Sequence, residues 1–302
     1  MASTVFTEVI TWIDVDGVEH VMDHSTGLVP LVGKRGRFLP PVELTTDAVV
    51  GLPGGVVRNV RWQEREMALP VGFVGATHLL LSVKMRDWLG WLDPTRGPGR
   101  LVVQRTWTTG VTATGTTRSI ACYYAGGLEG AEGEEDTAGA VLKAVLVFRA
   151  AEPFWEELPY EFTGWPISGL SSDFTSATPR EVVNIGNVET WITWGITTSS
   201  LHGLTGPITI TNATTGKSII YTGNLATDTY LEISTKPGER SCRTRSVSPG
   251  PWTNRWGLLD PATEMWPLLP GSNMVSIHIT GWTSPQDFVI DSTWPYRYLG
   301  AI

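Results

Sequence analysis

Short stretches in which apolar and β-branched residues alternate with polar ones dominate the sequence, and a turn signal follows most of them. This period of two indicates β-strands that bury one face. In the first half, the pattern predicts a hairpin over residues 8–22 with Asp16-Gly17 as its turn. It also predicts strands at residues 65–73 (interrupted at Pro70), 99–103, 118–124 and 140–150.

A single segment, residues 76–92, has helical rather than strand periodicity. Leu81, Met85, Trp88 and Leu92 recur at spacings of four, three and four, which places them on one face of a helix. Thr77 is the predicted N-cap. The helix is expected to end before Asp93-Pro94, because the residue before a proline is pushed out of the α region.

The second half is made of short predicted strands separated by turns every 8–12 residues. This spacing is typical of a β-sandwich or jelly roll. Residues 159–180 are dense in Pro, Gly, Ser and Thr, as in an interdomain connection. The clearest strands are predicted at residues 190–196, 208–212, 218–222, 230–234, 241–247 and 273–280.

The length of 302 residues favours two domains, since a single hydrophobic core rarely exceeds about 250–300 residues. We place the domains at residues 1–158 and 159–302. The predicted fold class is therefore all-β with one helix, in two β-sandwich domains. Residues 30–60 are rich in Gly and Pro, and the sequence predicts for them only extended segments that Gly and Pro residues interrupt.

Composition excludes several functional classes. A net charge of −8 argues against a nucleic-acid-binding surface, which needs clustered Lys and Arg. No apolar run reaches the roughly 18 residues of a membrane span, and no secretory signal opens the sequence, so we expect synthesis in a cytoplasm. Charged residues make up only 17% of the chain, which mildly favours burial in an assembly. Cys122 and Cys242 are expected to be reduced.

Two motifs near the N-terminus resemble metal sites without completing one. His20 and His24 are four positions apart, but on a strand this separation is about 13 Å. Asp14-Val15-Asp16-Gly17 resembles the start of a calcium loop, but the twelfth position is Ser25 instead of Glu. We interpret the segment as a hairpin turn and predict no metal, cofactor or catalytic residues.

The second half also carries many tryptophans, and two interpretations remain open for them. They are core and interface residues, or some are exposed and stack on sugar rings. Trp191 and Trp194 are expected on opposite faces of one strand, so that one of them is buried. The set comprises Trp165, Trp191, Trp194, Trp252, Trp256, Trp266, Trp282 and Trp294.

An acidic loop over residues 129–136 has two open interpretations. It is a solvated surface loop, or it binds a cation or lines a channel. The loop contains Glu129, Glu132, Glu134, Glu135 and Asp136.

The sequence lacks the catalytic motifs that we looked for. It contains neither a Gly-x-Ser-x-Gly elbow nor a phosphate-binding Gly-x-x-x-x-Gly-Lys. We therefore expect a protein that is not an enzyme.

Several stretches, taken in order, carry a resemblance to a known family. In the first half they are residues 10–17, 118–120, 123–130 and 149–155, and in the second half residues 184–191, 206–212, 214–216, 231–238 and 265–273. Through these stretches the sequence resembles the siphovirus distal tail protein family (phage tail component, Dit-like), and the resemblance covers nearly the whole chain.

The resemblance implies an N-terminal β-sandwich with one helix that forms a homo-hexameric ring, and a galectin-like C-terminal sandwich. Such a ring connects the tail tube protein to the tail-tip hub and receptor-binding proteins, and DNA passes through it without specific binding. The helix at 76–92 and the adjoining strands are then expected to form part of the contact between copies or to support it. The implied location is the virion tail tip. The alternative function is a carbohydrate-binding receptor-recognition module of the phage tail.

Overall fold

The computed structural model describes residues 4–48, 51, 53–109, 112–129, 141–157, 160–163, 173–175, 179–248, 250–281 and 288–301. The chain forms two compact units, one comprising Met1–Glu157 with Tyr298–Ile302 and the other Leu158–Arg297. The last residues of the chain therefore belong with the first unit. The predicted fold class, all-β with one helix, is confirmed.

The first unit is built on one antiparallel sheet of nine strands, which include a short strand near the C-terminus. The order of its main strands is β2-β1-β7-β8-β9-β6-β3. Its strands are β1 Thr4–Ile13, β2 Glu19–Val21, β3 Leu28–Pro30, β6 Arg65–Val74, β7 Gly99–Thr109, β8 Thr112–Gly126, β9 Val141–Ala150 and β10 Trp155–Glu156, while β4 Val42–Ala48 and β5 Gly55–Trp62 form a separate hairpin.

The large sheet curves around a single core. Trp12 on β1 and Phe148 on β9 lie three strands apart in the order, a separation of roughly 14 Å in a flat sheet. Their ring centroids are nevertheless 5.2 Å apart. A register shift between Tyr124 and Gly126 in β8 helps this curvature, since bulges increase local twist. The sheet thus folds back on itself in the manner of a sandwich.

The predicted helix is present as α1, His78–Trp91. The Thr77 hydroxyl accepts a hydrogen bond from the backbone N–H of Leu80, so Thr77 is the N-cap as predicted. Of the predicted apolar face, Leu81, Trp88 and Leu92 are buried, and Met85 is half-buried. With 14 residues, α1 is too short to cross a membrane, and the described ranges contain no other helix with the required length and apolar character.

Most strands of the first unit lie where the alternation predicts them, but Pro70 does not interrupt β6. In an antiparallel ladder, the nitrogen and carbonyl of one residue point toward the same neighbour. The Pro70 carbonyl accepts from the Leu31 N–H at 2.8 Å, so the proline nitrogen also points toward that edge. Pro70 therefore removes no hydrogen bond to β9, where it lies opposite Val145.

A fully buried arginine ties distant segments of the first unit together. The Arg65 guanidinium donates to four backbone carbonyls, those of Pro153 (2.7 Å), Gly36 (2.7 Å), Phe38 (3.0 Å) and Leu299 (2.6 Å). Burial lowers its pKa to about 10. This side chain links the start of β6 to the loop before β4, to the end of the unit and to the returning C-terminus.

The second unit is a β-sandwich of two antiparallel sheets. The six-stranded sheet has the order β11-β23-β15-β18-β19-β20, and the five-stranded sheet has the order β12-β22-β16-β17 with β13 also paired to β22. Its strands are β11 Tyr160–Thr163, β12 Asp173–Thr175, β13 Arg180–Asn184, β14 Thr190–Trp191, β15 Thr193–Thr198, β16 Ile208–Asn212, β17 Lys217–Tyr221, β18 Thr229–Ser234, β19 Ser241–Ser246, β20 Thr253–Asn254, β21 Pro267–Leu268, β22 Gly271–Thr280 and β23 Phe288–Trp294, and β24 Arg297–Tyr298 returns the chain to the first unit.

The core of the second unit lies between its two sheets and contains alternate residues of each strand. Ile208 and Ile210 from one sheet and Leu231 and Ile233 from the other are all buried in it. One strand prediction is wrong: residues 190–196 do not form a continuous strand. The segment breaks at Ile192, so that β14 pairs with β21 while β15 joins the six-stranded sheet.

Candidate functional surfaces

The strands β4 and β5 form a hairpin, which we call the hairpin arm, and both strands are exposed along their whole length. Among the strands that the structure describes, these two pair only with each other. On one face, Val42 lies opposite Trp62 and Leu44 opposite Val60, and Leu44 and Val60 are 57% and 59% exposed. A lone two-stranded hairpin is only marginally stable in water. An exposed apolar face on such a hairpin therefore indicates a surface that packs against something else.

The opposite face of the hairpin arm is polar. Glu43 lies opposite Arg61 and Thr45 opposite Asn59. Arg58 is the extra residue of the bulge between Thr45 and Thr46, and its Nε donates to the Asp47 carboxylate at 2.8 Å. The arm is consequently amphipathic, with a charged side that suits water and an apolar side that does not.

The segment from Asp14 to His20 is a hairpin turn, as predicted. The Asp14 carboxylate accepts from the backbone N–H groups of Asp16 (3.0 Å) and Val18 (2.9 Å), and its other oxygen lies 2.9 Å from Nε2 of His20. Burial opposes ionisation of Asp14, but these hydrogen bonds outweigh it and lower its pKa. The His20 ring stacks on Trp91 with centroids 3.8 Å apart. Asp14 and His20 therefore serve the turn and its packing on α1.

The other candidate metal and acidic residues are dispersed. His24 is exposed, and its carbonyl accepts from Lys84 Nζ at 3.2 Å. Within the described ranges, no three His, Cys, Asp or Glu side chains lie close enough together to hold a metal ion. In the acidic loop, Glu129 accepts from the Gly127 N–H at 2.6 Å. The remaining acidic residues of that loop lie outside the described residues.

A nearly buried cluster of charges lies on the first unit, and sequence reasoning missed it. The Glu8 carboxylate is 2.7 Å from Lys34 Nζ, 3.1 Å from Arg37 and 2.9 Å from Arg105. Burial raises the pKa of Glu8, but the hydrogen bond from Lys34 and the charge of Arg37 more than reverse this, and the pKa falls to about 2. One carboxylate thus joins β1, the loop before the hairpin arm, and β7.

The tryptophans divide between the two interpretations. Trp194 and Trp266 are fully buried and contact edge to face at 6.0 Å, and Trp294 is also buried. Trp191 is only half-buried, so of Trp191 and Trp194 one lies in the core, as expected. The two residues belong to different strands, β14 and β15, and not to one strand. Trp165 and Trp282 lie outside the described residues.

Of the tryptophans in the set that the structure describes, Trp252 and Trp256 are the exposed ones, at 37% and 45%. They flank a groove of about 300 Å³ at the edge of the six-stranded sheet. Arg243 lies 4.1 Å from the centre of the Trp252 ring, and Arg245 lies 4.7 Å from it. The groove is lined by Arg240, Ser241, Cys242, Arg243, Trp252, Asn254 and Trp256.

A second groove, of about 710 Å³, is lined by residues that include Asp228, Thr229, Arg245 and Arg255. Asp228 is the single carboxylate among its lining residues, whereas most glycoside hydrolases use a carboxylate pair. Cys122 and Cys242 are free and buried, and burial raises the pKa of each thiol to about 12. Neither cysteine has the accessible thiolate that a nucleophile needs.

Comparison with known proteins identifies the fold. No protein-family model matches the sequence, and no curated protein matches it. Among solved structures, the chain is similar to the SPP1 Dit protein, described as a paradigm of the hub adsorption apparatus in phages that infect Gram-positive bacteria. The TM-score is 0.63 at 16% identity, over 97% of this chain and 99% of that one.

The chain is also similar to a chain of the phage p2 baseplate in its activated conformation, solved with strontium and with calcium. In both structures the TM-score is 0.50 at 10% identity, over 96% of this chain and 98% of that one. These likenesses extend through both units. The fold implied by the sequence resemblance is thereby confirmed: along nearly its whole length, this chain has a Dit-like fold.

Proposed function

We propose that this chain is a distal tail protein of a long-tailed bacteriophage, a structural component of the tail tip with no catalytic role. The observation that carries the proposal is the match to SPP1 Dit, which includes both units and nearly all of each chain. A fold shared over a whole two-unit chain is more informative than one shared domain, because both units are matched in the same order along the chain. Fold alone does not determine function, so the surfaces must support the same role.

The hairpin arm supports self-association. Its apolar face is exposed in the single chain. Burying this face would stabilise a contact by roughly 25 cal/mol for each Å² of apolar surface removed from water. We propose that the arm packs on a neighbouring copy. A ring needs a heterologous contact, in which two different surfaces of the same chain meet. We propose the helix α1 as part of the second surface, and Leu79 on it is 74% exposed.

Repeating this contact closes a homo-hexameric ring. Six copies of 32.9 kDa give a mass of about 197 kDa. In the proposed tail tip, the first unit forms the ring below the tail tube protein, and the second unit projects toward the hub and receptor-binding proteins. DNA passes through the ring without specific binding, in keeping with a net charge of −8. The protein is made in the cytoplasm of the host and functions in the virion.

A matched pair of double variants tests the role of the hairpin arm. Leu44→Asp with Val60→Asp places two carboxylates opposite each other on the apolar face, and Thr45→Asp with Asn59→Asp places the same pair on the polar face. Both carry the same added charge and cross-strand repulsion. We expect the wild type and the polar-face variant to assemble toward about 197 kDa with rising concentration in sedimentation velocity, and the apolar-face variant to remain near 32.9 kDa.

The comparison between the two variants decides the result. If both lose assembly to the same extent, general damage to the hairpin explains the effect and the apolar face has no special role. If both assemble as the wild type does, the arm lies outside the contact between copies.

A further inference from the structure

The second unit carries a strongly basic segment in an otherwise acidic protein. Residues 236–255 contain Lys236, Arg240, Arg243, Arg245 and Arg255 but a single acidic residue, Glu239, whereas the whole chain has a net charge of −8. The segment forms β19, β20 and their connections at the edge of the six-stranded sheet. A local positive charge of this kind attracts anions even when the net charge of the whole chain is negative.

Only part of this charge is neutralised within the chain. Arg243 pairs with Glu232 at 2.7 Å, and Lys236 pairs with Glu239 at 2.8 Å. Among the residues that the structure describes, Arg240 and Arg245 form no ion pair with any carboxylate. Arg245 instead lies against the rings of Tyr230 and Trp252, at 5.4 and 4.7 Å. Two exposed guanidinium groups at this edge are therefore available to an anion from outside.

Exposed aromatic rings lie beside these charges. Trp252 is fixed by the arginines on it, whereas Trp256 starts a short 3-10 helix and exposes 45% of its surface. The two rings and Arg240 border the same groove of about 300 Å³, and Ser241 and Asn254 add a hydroxyl and an amide. Buried tryptophans of this unit, such as Trp194, complete the core instead. Trp256, by contrast, is not part of this core.

We propose that this groove binds a sugar that carries a negative charge, as a phosphate ester or a carboxylate. A flat indole ring packs against the apolar face of a sugar ring, while the hydroxyl and amide bond to its hydroxyl groups. Guanidinium groups recognise phosphate and carboxylate with two parallel hydrogen bonds. The groove is at the lower limit of ligand-site volumes, which suits one or two sugar units. A nucleic acid fits less well, because a continuous phosphate backbone would also meet the net negative charge of the chain.

Binding of short defined oligosaccharides to the purified full-length chain tests the proposal. Three of the probes are oligosaccharides of equal length: one is neutral, one carries phosphate and one carries a uronate. The fourth probe is a single-stranded oligonucleotide. The affinity of the chain for each probe is measured by isothermal titration calorimetry. We expect at least one charged sugar to bind at least about tenfold more tightly than the neutral one, and its affinity to fall as ionic strength rises. Comparison of the two charged sugars shows whether phosphate or carboxylate is preferred.

Variants of the groove residues Trp256 and Arg240, and of Arg245 beside the Trp252 ring, make the assignment specific. Arg240→Ala combined with Arg245→Ala is expected to weaken binding by about tenfold or more, because a charge-assisted hydrogen bond contributes roughly that factor. Trp256→Ala is expected to weaken binding by a similar factor, because it removes the ring against which the sugar packs. Trp256→Phe should restore part of the affinity. The control is Lys217→Ala, which removes one exposed positive charge on β17, outside the groove, and should bind as the wild type does. Thermal melting confirms that each variant is folded.

Several results would overturn the proposal: no binding of either charged sugar, equal binding of neutral and charged sugars, preference for the oligonucleotide, or unchanged affinity in the groove variants. The proposal does not depend on ring formation. The apolar-face variant of the hairpin arm retains the groove in its second unit and should bind the same sugar with the same affinity, so the two proposals fail independently.

Discussion

Replacing Arg65 with methionine should destabilise the first unit by about 3–5 kcal/mol, the largest effect we expect from any single substitution. Methionine fills most of the volume but cannot donate hydrogen bonds. Four backbone carbonyls, at Pro153, Gly36, Phe38 and Leu299, would lose their donor, and a carbonyl cannot be removed by mutation. An unpaired buried acceptor costs about 1–3 kcal/mol, although the four costs are not additive.

The matched control for Arg65→Met is Arg149→Met. Arg149 is exposed and lies 3.9 and 3.8 Å from the carboxylates of Glu64 and Glu66. Exposed ion pairs contribute little, so this variant should change stability by less than about 0.5 kcal/mol. Urea denaturation followed by circular dichroism measures both. Equal stability of the two variants would show that the hydrogen bonds of Arg65 do not hold the unit together.

The second large effect is expected at Glu8, whose carboxylate lies between Lys34, Arg37 and Arg105. Glu8→Gln leaves three nearly buried cations without a counter-charge and should cost about 3 kcal/mol at pH 7. The fall of the pKa from 4.5 to about 2 corresponds to a similar free energy, at about 1.4 kcal/mol for each unit.

The pH dependence has a defined sign. Because the folded-state pKa of Glu8 is depressed, its contribution is fully present above the usual pKa of 4.5 and is lost as the pH falls toward 2. We expect the free energy of unfolding of the wild type to decrease across this window more steeply than that of Glu8→Gln. Glu66→Gln, which removes an exposed carboxylate 3.8 Å from Arg149, should follow the wild type. Identical pH profiles for wild type and Glu8→Gln would contradict this account.

Local sequence patterns predicted the elements that bury one face. The spacing of Leu81, Trp88 and Leu92 predicted the helix, and strict alternation predicted strands such as β16. Both predictions work because the spacing of the apolar residues depends on which face of the element is buried. The hairpin arm was missed because no residue of its two strands is buried in the chain and Gly and Pro dominate its flanks. Its signal was nevertheless present: Pro53-Gly54-Gly55 separates two stretches that both contain alternating apolar residues.

Long-range clusters could not be predicted in the same way. The partners of Arg65 lie up to 234 positions away, and those of Glu8 up to 97, so no window of sequence contains them. Isolated charged residues in strands suggest exposure, whereas Arg65 is fully buried. The groove at Trp252 and Trp256 lies between these cases. Tryptophan content indicated a possible sugar site, but only the structure separated the two exposed rings from the buried ones and placed arginines beside them.

The central claim, that this chain is part of a phage tail tip, is tested most directly by locating it on particles. Antibodies raised against the purified chain can be applied to phage particles that encode it and imaged by immunogold electron microscopy. The account predicts gold at the end of the tail distal to the head, between the tube and the adhesion apparatus. Label on the head, or particles that lack the chain altogether, would contradict it.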